Sequence, residues 1–116
     1  MASQRQLRVG EEIRHVLSGV IGRNDWPKGE LGVSVTVTRV DISADLQNAL
    51  VFVMPLGGLQ QEETIKFLND MTPYLRKAVA DAMSLRRVPS LRFMLDDSFE
   101  KAEKMENLFK NLKRND

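Results

Sequence analysis

The chain has 116 residues, a formal net charge of +1, and 42% hydrophobic against 28% charged residues, which suits one soluble globular domain with a single modest core. It has no cysteine, which excludes disulfides and thiolate metal sites and fits a reducing cytoplasm. Nothing in it approaches the roughly 18 consecutive apolar residues of a membrane span, and MASQRQLRVGEEIR lacks the apolar run of a signal peptide.

Residues 5–22 place Leu7, Ile13, Val16, Leu17, Val20 and Ile21 near the 3.6-residue period of an amphipathic helix, which Gly22 and the turn-rich stretch from Asn24 to Gly29 bring to an end. Trp26, in that loop, reads as a cover for the core edge rather than a base-stacking surface. VSVTVTRVDIS (33–43) alternates, with Val33, Val35 and Val37 on one side and Thr36 and Thr38 on the other, the signature of a half-buried strand. After a polar turn over 41–48, ALVFVMP (49–55) is apolar on both faces, as a central strand would be. A short connection makes the two an antiparallel hairpin.

Pro55-Leu56-Gly57-Gly58 stops the second strand, and Glu62-Glu63 open a helix where acids favour the positive end of the macrodipole. Ile65, Leu68 and Met71 continue this helix up to Met71-Thr72-Pro73. There Thr72 is expected as an N-cap and Pro73 as the first residue of a second helix, so the proline ends one helix and starts another at an angle. Tyr74, Leu75, Val79, Ala82, Met83 and Leu85 carry the second helix to about Arg86. VPSLRFML (88–95) alternates Leu91, Phe93 and Leu95 against Arg92 and Met94, giving a third strand. Asp97 or Ser98 is expected to cap a final helix with an apolar stripe of Phe99, Ala102, Met105, Leu108, Phe109 and Leu112, and KNLKRND to fray.

The near-zero net charge hides segregation. Residues 40–70 hold five acids and only Lys66 as a base, whereas 71–92 hold Arg76, Lys77, Arg86, Arg87 and Arg92 against Asp81 alone. The N-terminal part adds Arg5, Arg8, Arg14, Arg23 and Lys28. A fold that joins the first and last of these stretches has a basic face suited to phosphates. Arg86 and Arg87 admit two roles, contact with RNA or satisfaction of helix-end carbonyls. Catalytic and metal constellations are missing. The one histidine, His15, has no cysteine or spaced carboxylates beside it, and no phosphate-loop, nucleophile-elbow or zinc motif occurs. Gly57-Gly58 is flanked by Glu62-Glu63, which would repel a phosphate, and Asp96-Asp97 sits where helix capping needs acids. The pattern is that of a binding protein.

Three stretches carry a family resemblance: LRVGEEIRHVLSGVI, VTVTRVDISADLQNALVFV and LRKAVADAMSLRRVPSLRFMLDDS. Together they resemble ribosome-binding factor A, over roughly residues 5–110, with the VGEEIR start and the run from Arg87 to Phe93 as the most specific parts. The resemblance implies an α+β, KH-like fold of type II, α-β-β-α-kink-α-β with a C-terminal helix and a three-stranded sheet packed against helices, as a single domain over 1–116. It implies a monomeric, non-enzymatic cytoplasmic protein without cofactor or metal. Its expected partners are the small (30S) ribosomal subunit and its rRNA during late maturation, around the 5′-end helix and near the neck and decoding region.

KH domains clamp nucleic acid with a GxxG loop between two helices; this family instead has an alanine-x-glycine kink. Here the kink reads Met71-Thr72-Pro73, with neither residue, so proline makes the bend by fixing φ and withholding a donor. The expected ribosome-binding residues are Arg5, Arg8, Arg14, Lys28, Arg76, Lys77, Arg86, Arg87 and Arg92. The alternative function is a protein-interaction module acting through the C-terminal amphipathic helix.

Overall fold

The computed structural model describes residues 2–98, and the final amphipathic helix expected from the sequence lies outside them apart from its first residue, Ser98, which is helical. The elements are α1 (Gln4–Arg23), β1 (Val35–Ile42), β2 (Asn48–Pro55), a short 3-10 turn (Leu56–Gly58), α2 (Gln61–Asp70), α3 (Thr72–Ala82) and β3 (Ser90–Leu95). This is the α-β-β-α-kink-α-β order that the resemblance implies. The sheet is mixed, with β2 central, antiparallel to β1 and parallel to β3. No helix among the described residues is long and apolar enough to cross a membrane.

The three helices cover one face of the sheet. Ile13 and Leu17 of α1, Leu68 of α2, and Leu75 and Val79 of α3 close over Val51 and Val53 of β2 and Phe93 of β3, all essentially without exposure. Each such side chain contributes about 1.5–3 kcal/mol on leaving water. The other face carries Leu50, Phe52, Met54, Arg92 and Met94, half-buried or exposed, with the Arg39 guanidinium 4.3 Å from the centre of the Phe52 ring. Leu7, counted with the apolar stripe of α1, instead points to solvent at 63% exposure, because at 3.6 residues per turn it lies about 160° around the helix from the buried Val9.

α1 begins one residue earlier than its periodicity suggests, because Ser3 caps it. The Ser3 hydroxyl accepts from the Gln6 N–H at 3.1 Å, and Gln6 Oε1 accepts from the Ser3 N–H at 2.8 Å. The Gln6 amide also donates to the Ile42 carbonyl, tying the helix start to the end of β1. At the other end Asn24 adopts a left-handed conformation (φ 51°) and organises the loop. Its Oδ1 accepts from Trp26 Nε1 and from the Leu31 N–H. Trp26 is buried there, edge-on to Phe67 at 5.1 Å, covering the core edge as the sequence suggests.

The strict alternation expected along β1 breaks at Thr38, where the register with β2 shifts between Val37 and Arg39. The cause is parity. The apolar residues of β1 sit at 35 and 37, then at 40 and 42, and only an extra residue lets both pairs face the helices. The extra Thr38 donates its hydroxyl to Asp96 Oδ2 at 2.5 Å and lies 3.2 Å from the Phe52 carbonyl. Asp96 Oδ1 accepts in turn from the Ser98 N–H.

Several expected boundaries move, and β1 and β3 begin at Val35 and Ser90, each later than the alternation suggests. Thr72 is not an N-cap: Met71 occupies that position, and the Thr72 hydroxyl donates backwards to the Asn69 carbonyl at 3.1 Å. Helical bonding runs almost unbroken through the bend, with Met71 N–H bonded to Phe67 and Leu68 carbonyls and Leu75 N–H to the Met71 carbonyl. Pro73 thus sits in the first turn, where its missing donor would have had no partner. α3 also ends at Ala82 rather than near Arg86, since the chain must turn extended to cross to the start of β3. Pro89 disfavours helical geometry at Val88 on that path. At the free edge of β3, the Asn69 side chain takes the place of a neighbouring strand: its Oδ1 accepts from the Phe93 N–H and its amide donates to the Phe93 carbonyl.

A Cβ on Gly10 would lie 2.6 Å from the Val40 carbonyl oxygen, so this glycine lets α1 rest directly on β1. Gly10→Ala gains about 1 kcal/mol of helix propensity, but the backbone contact cannot yield without moving the helix. The expected net loss is about 1–3 kcal/mol, read as a lower urea midpoint at unchanged slope. Hydrogen bonds from Ser98 and Thr38 hold the Asp96 carboxyl below its ordinary value of 3.8. Asp96 therefore stabilises the fold above that value, and the contribution is lost as pH falls through the lowered one. Acid unfolding below pH 3.8 should be shallower in Asp96→Asn than in the parent chain.

Candidate nucleic-acid interface

The sheet topology gathers three segments at one end of the molecule. Parallel pairing puts Ser90 beside Asn48, and the Ser90 N–H donates to the Gln47 carbonyl, so the α3–β3 connection runs against the β1–β2 turn. The Gln6–Ile42 bond brings the start of α1 to the same place. Between them lies a cleft of about 470 Å³ lined by Arg5 and Val9 of α1, Asp45, Leu46 and Gln47 of the turn, and Leu85, Arg86, Arg87 and Pro89 of the connection.

The turn is built to hold its shape. Asp45 Oδ1 accepts from the Ser43 hydroxyl at 2.6 Å and the Gln47 N–H at 3.0 Å, and these bonds keep its carboxyl below the usual range, hence ionised. Leu46 has a left-handed backbone (φ 61°), a conformation that asparagine or glycine adopts far more readily. The turn residues give little sign of a site in the sequence because the turn reads as a polar connector, and Leu85 reads there as one more apolar position of the helix before it. Leu46, an apolar residue among Asp45, Gln47 and Asn48, was the available signal.

The nine basic residues singled out in the sequence fall into two groups. Three have partners. Arg14 pairs with Glu11 through Nε at 2.9 Å and Nη2 at 2.5 Å, and Lys77 with Asp81 at 3.2 Å. Arg76 donates from Nε to the Pro89 carbonyl at 3.2 Å and from Nη2 to the Val88 carbonyl at 3.0 Å, clamping the α3–β3 connection. Arg5, Arg8, Lys28, Arg86, Arg87 and Arg92 make no hydrogen bond or ion pair among the described residues. Arg86 and Arg87 do not bond the carbonyls that end α3; they lie in the connection beyond it.

Four of the six gather at the cleft end: Arg5, Arg86 and Arg87 line it, and Arg8 follows one turn along α1. No acid occupies the first turn of α1, so Arg5 and Arg8 stand near the positive end of the helix dipole, where cations are disfavoured and anions favoured. Arg92 lies elsewhere, in a shallow groove between α2 and β3 with Glu62, Ile65, Lys66 and Met94. Lys28 belongs to the loop after α1, at the helix's far end. The Met71-Thr72-Pro73 bend is on that far side as well, since Tyr74 Oη donates to the Asp25 carbonyl and its ring packs by Trp26. Bend and basic cleft are thus at opposite ends. His15 is exposed on α1, and no group of three or more potential metal ligands is gathered among the described residues.

The sequence model of the family "Ribosome-binding factor A" matches residues 5–109. The ribosome-binding factor A of Phenylobacterium zucineum is 45% identical over 108 residues, covering 92% of this chain and 74% of that protein. The crystal structure of ribosome-binding factor A from Thermus thermophilus superposes with a TM-score of 0.65 at 23% identity, over 78% of this chain and 94% of that one. A homology model of the Thermus thermophilus factor, fitted into the cryo-EM map of its complex with 30S, superposes with a TM-score of 0.62 at 22% identity, over 76% and 91%.

The two groups of basic residues should separate in stability measurements. Arg76→Ala removes a two-pronged, charge-assisted hold on the α3–β3 connection and should cost about 1–3 kcal/mol in urea unfolding. Arg86→Ala and Arg87→Ala should stay within about 0.5 kcal/mol of the parent, as surface residues without partners do.

Proposed function

This chain belongs to the ribosome-binding factor A family, and from that membership we propose that it binds the small ribosomal subunit and assists late maturation of its rRNA, including the 5′-end helix region. It acts as one monomeric domain, by binding rather than catalysis, and action on the ribosome implies the cytoplasm. The observation that carries the reading is the meeting of Arg5, Arg86 and Arg87 around a single cleft without partners among the described residues. Guanidinium groups left free of protein acceptors are available to phosphate oxygens, which they meet in planar, two-pronged geometry.

The basic contact surface comprises this cleft and Arg8, with Lys28 and Arg92 as outlying contacts. Arg14 and Lys77 can reach phosphate by exchanging exposed ion pairs of small worth. Arg76 contributes by holding the connection that carries Arg86 and Arg87. Affinity of this kind rests on phosphates and falls with salt, so position on the subunit comes from shape and backbone contacts more than from base identity. The Met71-Thr72-Pro73 bend serves the packing of α2 and α3 rather than touching RNA.

Co-sedimentation with isolated small subunits, large subunits and whole ribosomes over a salt series tests this. The expected outcome is selective pelleting with small subunits that weakens with salt. The variant R5E/R86E/R87E, with its fold checked by circular dichroism, should pellet far less and with a salt slope shallower by about 2–3. Unchanged pelleting of the folded triple variant would remove the cleft from the contact surface.

A further inference from the structure

We propose that the cleft between the start of α1, the β1–β2 turn and the α3–β3 connection seats one unpaired nucleotide of RNA, with preference for a base that bears an amino group. The inference rests on the RNA-binding reading above and goes further, to the form of nucleic acid that fits.

Contact with the phosphates of a paired helix asks only for exposed cations. This cleft offers more. Its floor is apolar, formed by Val9, Leu46, Leu85 and Pro89, and its volume of about 470 Å³ falls in the range of small-ligand sites. Its lining carries two kinds of polar group: cationic arginines from α1 and the connection, and Asp45 with Gln47 from the turn. A nucleotide has two kinds to match, with an anionic phosphate at one end and a flat base carrying polar edge groups at the other. Arg5, Arg86 and Arg87 suit the phosphate, the apolar floor suits the base face, and the turn suits the base edge.

Asp45 sharpens the choice. Held ionised and oriented by Ser43 and Gln47, it repels phosphate and acidic side chains from its part of the cleft. A carboxylate accepts from an exocyclic amino group such as cytosine N4, which uracil lacks. Leu46 points the same way. A turn that needs a left-handed residue would be relieved by asparagine, yet it holds a leucine at a strained φ of 61°, where the side chain lines the floor. A base can reach such a floor only when it is out of the stack, and single-stranded RNA is read in that way, by stacking and edge contacts.

Fluorescence anisotropy with three labelled RNA hairpins tests the proposal: one fully paired, one with a single bulged cytidine, and one with a single bulged uridine. The expected result is that the bulged cytidine hairpin binds about tenfold tighter than the paired one, the size of effect that one stacked base supplies, and tighter than the uridine hairpin. Leu46→Asn suits the left-handed turn and should keep the fold while losing the preference for bulged over paired RNA. Asp45→Asn keeps an acceptor for Ser43 and Gln47 and should lose the preference for cytidine over uridine. Equal binding of bulged and paired hairpins by the parent chain overturns the proposal. So does a preference for bulged RNA that survives Leu46→Asn in full. Displacement of the cytidine hairpin by an octaglutamate peptide at equal or lower concentration overturns it in favour of an acidic protein segment. A parent chain that pellets with small subunits but binds the hairpins equally loses this inference and keeps the ribosome-binding one. Failure to pellet counts against the latter, whatever the hairpins show.

Discussion

The contact between Gly10 and the Val40 carbonyl sets the distance between α1 and the sheet, and most of the architecture follows from that distance. With α1 resting on β1, Ile13 and Leu17 reach the interior and disappear from solvent. The same approach brings Gln6 to the Ile42 carbonyl and so fixes the start of α1 beside the β1–β2 turn. The contact also depends on the bulge at Thr38, because Val40 belongs to the half of β1 whose parity the bulge resets. A helix standing further off would leave the apolar residues of β1 unevenly covered and would open the cleft on its α1 side. One missing methyl group thus supports both the core and the surface that the core positions.

Elements whose signal is local were legible in the sequence. The periodicity of α1, the β-branched run of β1, the apolar β2 and the alternation of β3 each depend on neighbours close in the chain, and their placement holds. Trp26 was legible as a core cover because a lone aromatic in a turn-rich loop has few other partners. Features decided by distant residues were not. Thr38 looks like one more alternating residue until the pairing with β2 requires an extra one. Thr72 looks like a cap until helical bonding passes through Met71. The end of α3 could not be found from periodicity because Met83 and Leu85 continue it on paper; the parallel course of β3 ends it in space. The basic residues were visible as a charge imbalance, but their division into paired and unpaired depends on which acids and carbonyls come within reach, as Arg76 and Arg86 show.

That division also leaves a protein of nearly neutral charge with a cluster of cations that have no partner among the described residues. Asp81, Glu11 and Asp70 are spent on neighbouring cations of their own helices, and the first turn of α1 carries no acid to offset Arg5 or Arg8. The arrangement is locally unfavourable for the helix, which the Ser3–Gln6 cap and the buried face of α1 offset. The bend at Met71 to Pro73 plays a different part. Proline in the first turn of α3 costs no hydrogen bond, and the bend lets α2 lie along β3 while α3 turns back beneath α1. Asn69, just before the bend, is thereby placed to satisfy the free edge of β3.

The parallel pairing of β3 with β2 has a consequence for the order in which the molecule is assembled. An antiparallel hairpin can form as soon as its two strands exist, but a parallel partner must wait for the whole crossover, here α2, the bend and α3. During synthesis from the N-terminus, α1 with β1 and β2 can settle first, leaving the β3 side of β2 open until Ser90 to Leu95 emerge. The last strand to arrive also carries the Ser90 contact to Gln47 and draws Arg86 and Arg87 up to Arg5. The arginine cluster therefore does not exist on a partly made chain: among the described residues it is the last feature to be assembled, and it waits on the closing of the sheet.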